Sequence, residues 1–354
     1  MALKEEIIIT SKRGKFYIRP YRPGDEKAIL ASWRLAFGKE MSLEEWRWKY
    51  IENPAGYRIL ICVAEEGTVV CHYAAQVRNI ALGKSNILGL HLTDSFSHPR
   101  FRWAIGGKTG LFVKTGWIFL NTFLEEIGMP GPSLSTPFPK AQFHYGFPGQ
   151  RHFLLGLKLM KYRPHGPGIL FLKSKQPKNF RLLSKNDLFF SLREEKLEDF
   201  SFWEEIESIF YLSRNKETFA VKRNQEFLKW RFSCPGKEYK IFYLKNFLNK
   251  KIKAWIIFDA KNQKNKEIKI LDFWALNARY LAVLLRKVLK ETKATFVVWM
   301  AGNHPFKQAF LEVGFQPEQE PLGIIPNTRC DFKMQYSPED ANKFFFTIAD
   351  SDLF

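Results

Sequence analysis

Apolar positions along the chain change period in a readable order. Residues 15–20 form a short extended run, and Arg22-Pro23-Gly24-Asp25 is a turn whose aspartate can cap a helix. Ala28, Ile29, Trp33 and Phe37 then fall on one helical face. A second helix is predicted over 42–50, opened by Ser42 with Glu45 as a capping box and ended by Asn53-Pro54-Ala55-Gly56. Strands follow at 57–64 and 69–78, with Gly67 supplying the turn, and at 87–97. A glycine-rich break leads to a long apolar helix at 111–127. A proline loop at 130–139, a strand at 142–147 and a helix at 149–160 complete the first half.

The second half repeats this plan. Trp48-Lys49-Tyr50, Pro54 and Tyr57-Arg58-Ile59 correspond to Trp230-Arg231-Phe232, Pro235 and Tyr239-Lys240-Ile241. Tryptophan and tyrosine are nine positions apart in both copies, and the proline is displaced by one. A hairpin (239–244 and 253–259), a strand at 268–276, a helix at 280–292, a strand at 295–300 and a helix at 305–313 follow, closed by Gly314-Phe315. The coincidence indicates two copies of one domain. The expected fold is mixed α/β, in the α+β sense of a mostly antiparallel sheet flanked by helices. Two tandem domains are expected at 1–163 and 179–354, joined by a Pro/Gly/Lys-rich linker at 164–178.

Composition narrows the function classes. Two domains suit 354 residues, and 45% apolar with 16% aromatic residues excludes a disordered chain. No stretch approaches the ~18–20 consecutive apolar residues of a membrane-spanning helix. Met1-Ala2-Leu3-Lys4-Glu5-Glu6 carries acids where a secretory signal carries bases, so a cytoplasmic protein without a membrane span is expected. Cys62, Cys71, Cys234 and Cys330 show neither C-x-x-C spacing nor a histidine cluster; reduced, buried thiols and no metal are expected. The net charge of +19 divides into +10 over 1–164 and +9 over 165–354. Such a surface attracts anions: nucleic acid, acidic membranes or phosphate-bearing small molecules. No nucleic-acid reader motif is recognisable, so nucleic acid ranks last among these partners. The Lys/Asn-rich run at 245–269 reads as a hairpin with a solvated turn.

The chemistry-bearing segment is Thr93-Asp94-Ser95-Phe96-Ser97-His98-Pro99-Arg100-Phe101-Arg102, then Trp103-Ala104-Ile105-Gly106-Gly107-Lys108-Thr109-Gly110, then the helix from Leu111. Strand, glycine loop with bases, and helix start together form an anion cradle. Glycines let backbone N–H groups converge on phosphate oxygens, the helix start adds unpaired donors, and Arg102 and Lys108 add full charges. Gly107-Lys108-Thr109 matches the end of a nucleotide-binding P-loop, but Arg102 stands where its first glycine belongs.

A second match is closer. His98-Pro99-Arg100-Phe101-Arg102, after a strand carrying Asp94 and before glycines and a helix, resembles the coenzyme A loop of GNAT-superfamily N-acyltransferases. Ile18-Arg19-Pro20-Tyr21-Arg22-Pro23-Gly24-Asp25-Glu26 is similar to that superfamily's first strand and helix start. Lys307-Gln308-Ala309-Phe310-Leu311-Glu312-Val313-Gly314-Phe315 is similar to its last helix and Gly-Phe ending. The whole resembles the tandem members. The loop is longer than the family's [RQ]-x-x-G-x-[GA], and Asp272-Phe273-Trp274-Ala275-Leu276-Asn277-Ala278-Arg279 in the second copy has no glycine, which marks that copy as degenerate.

The resemblance implies transfer of an acetyl or other acyl group from acyl-coenzyme A to a primary amine. It assigns carrier contacts to Phe96, Ser97, Arg102, Gly106, Gly107, Lys108, Thr109 and Gly110. Asp94 becomes the candidate base, because an attacking amine must be neutral and an alkylamine titrates near ~10. The oxyanion's donors would come from a bulge in the Asp94 strand. The family's thiolate-protonating tyrosine is missing from the helix at 149–160, which leaves His152 and Tyr145 as substitutes. The acceptor class suggested by the basic surface is an acidic sugar or a nucleotide-linked amino sugar. A non-catalytic coenzyme A or anion binder of the same fold is the alternative.

Overall fold

The computed structural model describes residues 5–11, 14–102, 110–125, 127–175, 188–260, 267–330 and 338–352. By contact density the chain forms two compact units: Met1–Asn79 with Ile87–His165 and Ile324–Ala341, and Ile80–Asn86 with Gly166–Gly323 and Asn342–Phe354.

In the first unit, β1 (Ile7–Ser11), β2 (Gly14–Pro20), α1 (Glu26–Phe37), α2 (Leu43–Tyr50), β3 (Tyr57–Ala64), β4 (Val69–Leu82), β5 (Ser85–Ser97), α3 (Leu111–Phe123), β6 (Phe143–Gly146) and α4 (Gln150–Leu159) follow in order. Both faces of its central strands are covered. In β3, Leu60, Cys62 and Ala64 join the core that holds Phe119 and Leu120 of α3. Ile59, Ile61 and Val63 join the core that holds Ile29 of α1 and Trp46 of α2. This is the period of two that a strand imposes. Ser42 accepts the Glu45 amide at 2.9 Å, as its position foretold. Asp25 does not cap α1: its carboxylate takes Arg19 at 2.7 Å and 2.9 Å and the Arg22 amide at 2.8 Å. Helix α3 stops at Phe123, short of the expected residue 127, because Leu124 turns extended and bridges Ala141.

The second unit contains β7 (Ile169–Ser174), β8 (Phe190–Lys196), α5 (Trp203–Ser213), β9 (Phe219–Val221), α6 (Gln225–Arg231), β10 (Tyr239–Asn246), β11 (Ile252–Asp259), β12 (Glu267–Ala275), α7 (Ala278–Thr292), β13 (Thr295–Ala301), α8 (Lys307–Glu312) and β14 (Phe315–Glu318). Its sheet runs β14-β7-β13-β12-β11-β10-β8. The elements following Trp48 and Trp230 are equivalent, α2 to β3 and α6 to β10.

Residues 169–174, inside the segment expected as linker, are β7, a strand paired to both β13 and β14. Conversely β15 (Asn327–Cys330), which follows the second copy in sequence, pairs antiparallel with β6 and completes the order β1-β2-β3-β4-β5-β6-β15. Each sheet thus takes a strand from the stretch of chain that follows the other copy. Among the described residues no helix is long and apolar enough to cross a membrane.

Candidate functional site

Two parallel strands in the first unit part company. β5 and β6 pair from Gly89 with Phe143 to Leu92 with Gly146, after which β6 ends and β5 continues to Ser97. On its outer side the chain beyond β6 stays engaged: Ile325 donates to the Pro148 carbonyl at 3.1 Å, and Gly149 bridges Ile324 in the register set by β15. Among the described residues no backbone bridge reaches Pro148 or Gly149 from the β5 side. The divergence leaves a gap whose β5 wall begins at Thr93.

Asp94 stands at the mouth of that gap with φ +48, a left-handed conformation rare for a non-glycine residue inside a strand. The surroundings over-determine it. The carboxylate accepts from Tyr50 Oη at 2.6 Å and Trp33 Nε1 at 3.3 Å, and pairs with Lys49 Nζ at 2.7 Å. Its carbonyl meets His72 Nδ1 at 2.8 Å; a carbonyl only accepts, so Nδ1 carries the proton. His72 is stacked on Phe96 at 5.1 Å, and burial pushes its pKa down. Neither Asp94 oxygen is idle, and the Lys49–Asp94 pair is buried. Sequence reading missed Trp33, Lys49, Tyr50 and His72 as parts of this site. A signal for two of them was present in Trp48-Lys49-Tyr50, which served only as a repeat marker.

The remaining expected residues divide. Phe96 lies in the core with α1 and α2, and Ser97 ends β5 half-buried. His98 accepts the Arg100 amide at 3.2 Å, capping the turn that follows β5, and burial together with Arg100 and Arg102 lowers its pKa. Arg102 is exposed, and Gly110 precedes α3, whose opening amides no side chain takes among the described residues. Gly106, Gly107, Lys108 and Thr109 lie outside the described residues. Tyr145 is buried on β6, stacked on His91 at 5.0 Å. His152 faces Phe112 and Tyr162, with ring centroids 5.7 Å and 5.9 Å away. Its Nε2 is buried without a hydrogen-bond partner among the described residues, and burial pushes its pKa down to about 4. At neutral pH His152 therefore holds no imidazolium proton to give a leaving thiolate.

The second unit repeats the divergence and fills it. β12 and β13 pair in parallel from Glu267 with Thr295 to Ile270 with Val298. Asp272 stands two residues past the last pair, as Asp94 does. Here the chain's own end enters: Thr347 bridges Met300, Ala301 donates to the Phe346 carbonyl at 2.9 Å, and Thr347 Oγ1 reaches Asp272 at 2.8 Å. Arg223 holds Asp272 at 3.0 Å and Asp350 at 2.7 Å, while Arg231 donates to the carbonyls of Ala349 and Ser351. Burial raises the pKa of Asp272, with the Asp350 charge adding to it, against the opposing pull of Arg223. The copy expected to be degenerate has its gap occupied by residues 344–350.

No protein-family model and no curated protein sequence matches the chain. Solved structures do resemble it. A GCN5-related N-acetyltransferase from Anabaena variabilis superposes with TM-score 0.62 at 10% identity, over 90% of this chain and 73% of that one. A probable N-acyltransferase of unknown function from Enterococcus faecalis gives 0.61 at 11% identity, over 89% and 72%. A tandem GNAT protein from the clavulanic acid biosynthesis pathway gives 0.52 at 10%, over 90% and 100%. At such identities the likeness is one of fold.

Proposed function

With the tandem GNAT fold as premise, we propose that the first unit binds an acyl-coenzyme A, acetyl-coenzyme A in the simplest case, between β5 and β6 and passes the acyl group to a primary amine. The observation that carries this reading is a gap that no described residue bridges, with a left-handed residue at its mouth, whereas the equivalent gap of the second copy holds residues 344–350. The neutral amine attacks the thioester carbon, the C–N bond forms, the C–S bond breaks, coenzyme A leaves as a thiolate that takes up the proton the nitrogen gives off, and the intermediate oxyanion needs fixed donors. A trans peptide points its C=O and N–H to opposite sides. With the Asp94 carbonyl committed to His72, the Ser95 N–H faces away from His72, and we assign it to the oxyanion. The diphosphate falls to Arg102, the amides opening α3 and the loop from Gly106 to Gly110.

Tyr50, Trp33 and Lys49 all hold the Asp94 carboxylate, so we read it as the anchor of the bulge in place of the base. The same contacts favour a second reading, a carrier-binding protein without turnover. The acceptor that suits a chain of net charge +19 is acidic, such as a nucleotide-linked amino sugar. Calorimetry with acetyl-coenzyme A, followed by thiol release across a panel of amines that includes amino sugars, tests both. Binding of one equivalent per chain, weakened by Arg102→Glu, with thiol release on adding an amine, supports the transferase. Binding without release on any amine supports the second reading, and absence of binding overturns both.

A further inference from the structure

The β10–β11 turn, expected to be solvated, carries apolar side chains into water. Strand β8 runs alongside it: Phe190 pairs with Asn246, and Phe247 donates to the Phe189 carbonyl at 2.9 Å, so 188–189 and 247–248 lie side by side. Leu188 is 65% exposed, Phe189 51%, Phe247 48% and Leu248 80%. Large apolar residues grouped in water mark a contact surface more often than chance exposure does.

The exposure is built into the turn. Asn246 Oδ1 accepts the amides of Leu248 at 2.9 Å and Asn249 at 3.2 Å, Asn249 Oδ1 accepts Lys251 at 3.1 Å, and Lys250 takes a left-handed φ of +56. Hydrogen-bonded in this way, the turn presents Leu248 outward at little ordering cost. Lys250 and Lys251 are exposed on the turn and Lys245 and Lys253 flank it in sequence, with no acid between 245 and 253. Arg193 is exposed further along β8. The carboxylate tied to the base of the turn is Glu205, which accepts the Ile252 amide at 3.0 Å.

We infer that this tip docks on an anionic lipid surface, Phe247 and Leu248 entering the headgroup–acyl boundary while Lys250 and Lys251 meet lipid phosphates. Charge complementarity decides the occupant: an apolar turn that also exposes Lys250 and Lys251 matches an interface whose outer layer is anionic and whose inner layer is hydrocarbon. Four partly exposed side chains on a convex tip fall well short of the ~800 Å² per partner buried in a stable protein interface. The inference is independent of the acyl-transfer reading.

Co-sedimentation of the full chain with vesicles of phosphatidylcholine alone, or of phosphatidylcholine mixed with phosphatidylserine, is the test. The wild type should bind the mixed vesicles, weakly at high salt, and leave the neutral ones. The double variant Phe247→Ser/Leu248→Ser should bind about tenfold or more weakly with its unfolding midpoint unchanged. Lys250→Glu/Lys251→Glu should lose a similar factor. Equal binding by the wild type and the serine variant overturns the inference, since diffuse positive charge then suffices. Failure to bind mixed vesicles overturns it too, and so does wild-type self-association in the ultracentrifuge that the serine variant abolishes while vesicle binding stays unaffected.

Discussion

Asp94 and Lys49 are separated by 45 positions and form a buried ion pair at 2.7 Å. Removing one partner of such a pair leaves a buried charge uncompensated and costs about 3–5 kcal/mol, more than exposed pairs contribute. Lys49→Met and Asp94→Asn should each lower the unfolding free energy measured in urea by that order, and the double variant should lose less than the sum of the two. Strict additivity would show that the pair is not coupled. Histidines set a pH limit. Burial holds His152 at about 4 and His144 at about 3, against an ordinary 6.5. Both folded values are depressed, so stability is complete above 6.5. It is lost as pH falls from there toward 4, because the unfolded chain takes up protons that the folded one refuses. Each contributes a slope of up to about 1.4 kcal/mol per pH unit. The thermal midpoint should fall between pH 7 and 5, and less steeply in His152→Phe. A flat profile would rule this out.

Element by element, local spacing was a good guide where one side chain's neighbours sit a turn away. Ser42 opens α2, Gly67 turns β3 into β4, and the apolar rows of α7 (Leu281, Leu284, Leu285, Val288) face the core as their spacing requires. It was a poor guide where an element end answers to something distant, as when Leu124 leaves α3 to meet Ala141. Gly156 in α4 illustrates the tension. An alanine there would gain about 1 kcal/mol of helix propensity. Its Cβ would, however, stand 2.0 Å from the Tyr162 ring, whose hydroxyl is hydrogen-bonded to Tyr73 at 2.6 Å. Overpacking of that kind costs about 1–3 kcal/mol or more, so the clash wins. Gly156→Ala should lower the thermal midpoint, and a raised one would show that Tyr162 can withdraw. Cys62 and Cys71, unremarkable as spacings, turn out to be register partners on β3 and β4.

Within the second unit, residues 344–350 are part of the core. Arg223 lies between two buried carboxylates, which share it. Asp350→Asn keeps the Arg223–Asp272 pair, whereas Arg223→Met removes the guanidinium that both carboxylates hold. The arginine variant should therefore be the costlier by at least about 2 kcal/mol in chemical unfolding. Equal losses would mean that Asp350 and Asp272 do not share the cation.

Periodicity and punctuation alone were enough for α1, α2, β2 to β6, β10 to β13, α7 and the doubling of the domain, because burial of one face recurs at intervals of two or 3.6 residues whatever the rest of the chain does. The short or edge strands β1, β7, β8, β9, β14 and β15 carried too little of that period to be read, and α5 was missed. The Asp94 strand and the basic loop before α3 were visible for the same reason. Pairings between distant segments leave no such trace. Thr347 reaches Asp272 across 75 positions and Tyr50 reaches Asp94 across 44. The exchange of β7 and β15, the three donors on Asp94 and the filling of the second copy's gap by residues 344–350 all depend on pairings of this kind. Only the folded chain decides them, since they depend on which surfaces remain unsatisfied once the sheets have formed.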